Sequence, residues 1–140
     1  MAKTKPYIYL AGPYTKGDPA INTHCQCLAF DRLLDDGIVT PYAPLWSHFQ
    51  HGVKPRSYRD WIQYDIDLLE SGLFDACLRL DADLPTLGYH VSESTGADGE
   101  EQWFRDHGLP CFRSIEKLYF AIDQGNLPIT QRTFPRTIQY

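Results

Sequence analysis

What the sequence lacks narrows the field first. With 13 Lys and Arg against 18 Asp and Glu, the formal charge is -5. A chain so poor in positive charge has no basic footprint with which to displace counterions from a phosphate backbone, so no nucleic acid polymer is expected as partner. Long apolar runs are missing too. Met-Ala-Lys-Thr-Lys-Pro leads into a short one, too brief for a signal peptide or a membrane span, and a cytoplasmic chain with no membrane partner is the expectation. Only four cysteines occur, Cys25, Cys27, Cys77 and Cys111, spread through segments that read as helix and strand. That spread points to reduced thiols and not to a disulfide framework. Internal repeats and low-complexity tracts are absent, and Pro and Gly serve as scattered punctuation, so no linker or second domain is expected. Gly12 belongs to no G-x-G-x-x-G or Walker pattern, which leaves dinucleotide and triphosphate binding without support. His24, Cys25 and Cys27, and again His48 and His51, are closely spaced but match no closed four-ligand signature, so no metal and no cofactor is expected.

What is present fits one core. The 140 residues are 43% apolar, 22% charged and 14% aromatic, with nine tyrosines, an aromatic excess that suits a pocket or a subunit interface. A β-prone run at residues 7–10 stops at Ala11-Gly12-Pro13, as a buried first strand does. Apolar positions Ile21, Cys25, Leu28, Ala29 and Leu33 keep helical spacing up to Gly37, where a left-handed cap is wanted. Residues 38–40 read as a second strand, and Pro41, Pro44, Gly52 and Pro55 then make a long irregular loop carrying Trp46, His48, Phe49 and His51. Ser57 to Asp60 has capping-box form ahead of a helix reaching Gly72. Residues 76–80 read as a third strand with Arg79 its one awkward member, and residues 81–94 as loop. A helix opens at residues 95–98 and closes before Gly108, residues 109–112 form a fourth strand, and residues 115–122 a last helix. Residues 123–140 read as a C-terminal arm of a single domain spanning residues 1–140.

Strand and helix thus alternate four times. The expected fold is α/β, a single-domain flavodoxin/Rossmann-like parallel sheet of four to five strands with helices on both faces. Ligands of such sheets bind at the carboxyl ends of the strands, at the switch point. That gathers the Gly12 loop, the loop after Leu80 and the helix start at Gly96 along one edge.

Two constellations carry chemistry. Ser94-Thr95-Gly96-Ala97-Asp98-Gly99-Glu100-Glu101 puts small residues, a hydroxyl and carboxylates on the first turn of a helix, where exposed N–H groups welcome an anion and favour an ionised carboxylate. The same spacing also describes nothing more than a capped helix start. Tyr64 and Asp67, three apart, are neighbours on a helix face, and Asp67 suits a proton donor or a sugar-hydroxyl ligand. A solvated polar face fits that pattern as well. Trp46 suits stacking on a nucleobase or packing of its own loop, and His48 and His51 are loop residues available to a base.

Three segments together resemble the nucleoside 2-deoxyribosyltransferase superfamily, which includes nucleoside 5′-monophosphate N-glycosidases. Tyr9-Leu10-Ala11-Gly12-Pro13-Tyr14 is similar to its opening motif, Tyr64-Asp65-Ile66-Asp67-Leu68-Leu69 with Asp75 to its second, and Ser94-x-Gly96-x-x-x-Glu100 to its third. The overall pattern is nearest to a small branch of that superfamily. The resemblance implies that Glu100 attacks the anomeric carbon to form a glycosyl-enzyme, that Asp67 assists departure of the base, that Tyr9 positions the nucleophile and that Gly12 lets the sugar approach the backbone. It also implies a homodimer or higher homo-oligomer acting on a small-molecule nucleoside or nucleotide. Ser94, where transferases of free nucleosides carry Asp, implies a 5′-phosphate. The expected activity is hydrolysis of a nucleoside 5′-monophosphate or deoxyribosyl transfer between bases. The alternative is a non-catalytic nucleotide-binding sensor on the same fold, and a third possibility is an assembly domain using its aromatic surface and arm. The sequence departs from the family pattern in Glu101, Gln102 and Trp103, where small residues are usual, and in the length of residues 81–93.

Overall fold

A computed structural model describes residues 5–127. Four parallel strands, β1 (Tyr7–Ala11), β2 (Thr40–Tyr42), β3 (Ala76–Arg79) and β6 (Cys111–Phe112), lie in the order β2-β1-β3-β6. Successive side chains of a strand point to opposite faces, and here both faces are covered. Ile8, Leu10, Ala76 and Leu78 pack with Leu33 of α1 (Pro19–Asp36) and Leu118 of α5 (Ile115–Asp123). Tyr9, Ala11 and Cys77 pack on the other side with Leu69 of α3 (Tyr58–Glu70) and Phe104 of α4 (Thr95–Asp106). The α/β fold with a four-stranded parallel sheet between helices is the one the alternation of elements implies.

Helix ends follow local chemistry. The Asp18 carboxylate accepts the N–H groups of Ala20 and Ile21, Pro19 opens α1, and Gly37 closes it at φ 67°. Ser57, Ser94 and Ser114 cap α3, α4 and α5 by accepting N–H from Asp60, Ala97 and Lys117.

Three local expectations are corrected. The second strand begins at Thr40 and not at Ile38, because the left-handed turn at Gly37 needs residues 38 and 39 to bring the chain back to the sheet. Pro41 then sits in the strand, which it can do because β2 is an edge and its missing N–H breaks no ladder. The loop expected after it contains a 3₁₀ turn (Pro44–Trp46) and a short helix α2 (Ser47–Val53), with Pro44 at the one helical position where proline is favoured. Residues 81–94 hold an antiparallel hairpin, β4 (Ala82–Leu84) and β5 (Tyr89–Val91), turned by a 3₁₀ segment that ends on Gly88 at φ 62°. Asp123 closes α5 and Leu127 joins the core, while residues 128–140 of the expected arm lie outside the described residues. Among the described residues no helix is long and apolar enough to cross a membrane.

Candidate active site

The order β2-β1-β3 means that the chain leaves β1 in one direction and β3 in the other, which opens a crevice at their carboxyl ends. A cleft of about 330 Å³ lies there, in the size range of small-molecule sites. Its wall from residues 44–62 is largely apolar, with Pro44, Leu45, Trp61 and Ile62 interrupted by Ser47, His51, Arg56 and Tyr58. Thr15, Lys16, Ser94, Thr95 and Gly96 add a polar part to the lining. Two carboxyl side chains line it, Asp65 from α3 and Glu100 from α4.

Glu100 is placed by helical geometry. The Ser94 cap fixes where α4 starts, and its hydroxyl also reaches the Gly12 carbonyl oxygen at 3.5 Å, tying the helix start to the exit of β1. Six residues on, less than two turns along the helix, Glu100 comes over β1 beside the Tyr9 ring. The Tyr9 hydroxyl and Glu100 Oε2 are both buried and lie side by side, close enough to interact but short of a well-formed hydrogen bond, and among the described residues neither has another partner. Buried polar atoms without partners are rare, and these two await a ligand or one another. Burial pushes the Glu100 carboxyl up to about 8; the nearby Tyr9 hydroxyl opposes the rise, the Asp65 charge adds to it, and Arg79 opposes it. Burial likewise lifts Asp65 to about 7. The Tyr9 phenol is held well above its ordinary range, first by burial and then by the charges of Glu100 and Asp65.

Asp67, the second carboxylate expected from the motif, lies on the wrong side of α3. Tyr58, Ile62, Asp65 and Leu69 succeed one another at helical spacing and form the inward stripe. Two residues beyond Asp65 the helix has turned by about 200°, so Asp67 is exposed and accepts only the Gln63 amide at 2.9 Å. Asp65 stands where Asp67 was expected. Its signal was available in the sequence, as a carboxylate inside an apolar stripe. Tyr64 does not line the cleft; it lies half-exposed against Trp61, with its hydroxyl near that of Tyr42. Trp46 does not line the cleft either, because its ring packs on Phe30 at 4.8 Å and Tyr42 at 6.0 Å between centroids. The loop-packing alternative is what this tryptophan adopts. Gly12, Ser94 and Gly96 do line the cleft, whereas Pro13 faces a smaller cavity next to it. Gly12 has a packing reason of its own, since a Cβ there would stand 2.9 Å from the Leu80 carbonyl oxygen.

Arg79 and Glu101, odd in a strand and on a helix start, explain each other. Arg79 points to the α4 face of the sheet, where its guanidinium meets Asp98 and, at 3.1 Å, Glu101. Glu101 is 3% exposed and is also held by Arg105 at 2.6 Å and Arg113 at 2.8 Å. A buried carboxylate needs such partners, and the network leaves Arg79 close enough to temper Glu100.

The polar part of the lining is held by the hairpin that the sequence did not reveal. The Tyr89 hydroxyl accepts the Asp18 N–H at 2.8 Å and donates to Asn22 Oδ1 at 2.7 Å. Asn22, 1% exposed, donates to the carbonyls of Tyr14 and Lys16. Tyr89 thereby fixes the loop from which Tyr14, Thr15 and Lys16 line the cleft. Gly17 is obligatory beneath it, at φ 78°, where a Cβ would collide with that hydroxyl at 2.3 Å. Among the described residues no group of three or more His, Cys, Asp or Glu could hold a metal ion. No protein-family model, no curated protein and no solved structure matches the chain.

Proposed function

We propose that this protein cleaves, or transfers between bases, the N-glycosidic bond of a nucleoside or nucleoside 5′-monophosphate, with Glu100 as nucleophile and Asp65 as proton donor. The observation that carries this reading is the convergence of two raised carboxyls, Glu100 and Asp65, in one cleft, with the buried Tyr9 hydroxyl beside Glu100. The resemblance of three sequence segments to the nucleoside 2-deoxyribosyltransferase superfamily supports it, with Asp65 in place of Asp67. The cleft suits the three parts of a nucleotide. Its apolar wall accepts a base, the carboxyls underlie the sugar, and Ser94, Lys16 and the start of α4 favour a phosphate.

The chemistry follows from one shared proton. Near neutral pH the free pair holds at least one proton, because burial raises both carboxyls and the Asp65 charge further opposes ionisation of Glu100. The competent form has a single proton, on Asp65, leaving Glu100 ionised. The two carboxyls are raised to similar values, so that form is accessible from the resting one. Glu100 then attacks C1′, the C1′–N bond breaks, and the bonding pair leaves with the base nitrogen, which takes the proton of Asp65. Tyr9 donates toward the carboxylate and orients it. Water, or the nitrogen of a second base, next attacks C1′ and gives its proton to Asp65, which releases Glu100.

The test is incubation with a panel of nucleosides and nucleoside monophosphates, with free base followed by chromatography. Base release that is lost in Glu100→Ala supports the proposal. Full activity of Glu100→Ala, or stoichiometric binding of a nucleotide with no turnover, refutes it, and the second outcome identifies a sensor.

A further inference from the structure

His51 stands near the end of α2 and lines the apolar wall of the cleft. Its Nδ1 receives two hydrogen bonds from the start of α3 and the turn before it, the Arg56 backbone N–H at 3.1 Å and the Trp61 indole N–H at 2.9 Å. An amide N–H and an indole N–H only donate. Nδ1 must therefore offer its lone pair to both, and the neutral ring carries its proton on Nε2. Among the described residues that Nε2–H has no acceptor. The ring is also fixed in orientation, since Trp61 is packed against it at 6.1 Å between centroids.

A donor held in one orientation among Pro44, Leu45, Trp61 and Ile62 discriminates between ligands. A ligand edge with an acceptor pairs with it, while a C–H in the same place leaves a desolvated N–H unpaired, at a loss of roughly ten- to a hundredfold in affinity. We propose that the Nε2–H of His51 is the base-selecting donor of this site, admitting heterocyclic bases that present a ring nitrogen or carbonyl oxygen toward α2. The inference rests on the nucleoside reading of the cleft.

Binding to the Glu100→Gln protein tests it, because that variant is not expected to consume its ligand. Each natural nucleoside monophosphate is compared by calorimetry with counterparts in which one ring nitrogen is replaced by C–H or one carbonyl is removed. One such change weakens binding at least tenfold. The double variant with His51→Asn keeps a carbonyl where Nδ1 stands but lacks Nε2, and it binds parent and analogue equally weakly. Nitrogen NMR of histidine-labelled protein adds a readout that needs no ligand: a protonated Nε2 and a bare Nδ1 are expected for His51. The opposite tautomer, equal binding of every analogue, or unchanged binding after His51→Asn overturns the inference. If His51→Asn does not fold, the tautomer and the analogue series decide. Acceptor-dependent binding with no base ever released sinks the hydrolytic reading and leaves this inference standing. Base release without that dependence does the reverse, and absence of any nucleotide binding overturns both.

Discussion

Asp65 on α3 and Glu100 on α4 line one cleft, and the negative charge of Asp65 is among the reasons Glu100 keeps its proton up to about 8. Two carboxyls so placed cannot both be comfortably ionised, and that tension is a property of the fold before any ligand arrives.

It has a consequence for stability. In an unfolded chain both groups release their protons near pH ~4, whereas the folded protein retains them until about 7 and about 8. Between those limits the folded state binds more protons, so stability falls as pH rises from ~4 to about 8 and then levels. Glu100→Gln removes about half of that slope and leaves the share of Asp65. Thermal melts of the two proteins are expected to differ little near pH 4.5 and to favour the variant by several degrees near pH 8.5. A wild-type stability that rises across this window contradicts the burial of the pair.

Asp65 and Asp67 separate the motif from the geometry. Asp65→Asn takes away the proton donor and is expected to slow release of a poor leaving base by about 10²- to 10⁴-fold. The bell-shaped pH profile of kcat/KM, with limbs near about 7 and about 8 for the pair, becomes a single rise set by Glu100. That rise lies below the wild-type value of about 8, because a like charge is gone. Asp67→Asn, which loses only a surface contact with Gln63, leaves kcat/KM within about twofold. The opposite ranking returns Asp67 to the site.

How far the sequence could be read depends on which forces act locally. Strand alternation, the Ser57 cap, the Gly37 stop and the start of α4 at Thr95 are all written in short-range chemistry, and they appear in the structure as expected, whereas the burial that keeps Glu100 protonated is a tertiary effect. The Asp65 and Asp67 choice turned on helix phase, which the motif leaves open by two residues and the apolar stripe from Tyr58 to Leu69 decides. The hairpin at residues 82–91 escaped notice because its strands are three residues each and gain their stability from packing on α1, a tertiary effect. Arg79 looked out of place for the same reason, since its partners lie 19 and 22 residues away.

The hairpin makes its own prediction. Tyr89→Phe deletes the hydroxyl that bridges Asp18 and Asn22, at about 1 kcal/mol of stability. The loop carrying Lys16 then loosens while Asp65 and Glu100 stay in place. Steady-state kinetics are expected to show KM raised several-fold with kcat nearly unchanged. A fall in kcat at constant KM runs against this assignment.

Arg79→Met removes a charge that favours ionised Glu100 and strips one partner from buried Glu101. The pH profile is expected to move upward, since the Glu100 carboxyl rises further. Denaturant unfolding should register a loss of about 3–5 kcal/mol, as for other broken buried pairs. An unchanged pH profile in a folded Arg79→Met protein removes Arg79 from the electrostatics of the cleft.

The most direct measurement is mass spectrometry of the protein after reaction with a nucleoside or nucleoside monophosphate whose sugar carries fluorine at C2′, which slows turnover of a glycosyl-enzyme. The account predicts one added fluorinated pentose, or pentose phosphate, on the peptide bearing Glu100, and none on Glu100→Gln. Base released without any adduct, or an adduct on a residue other than Glu100, contradicts it.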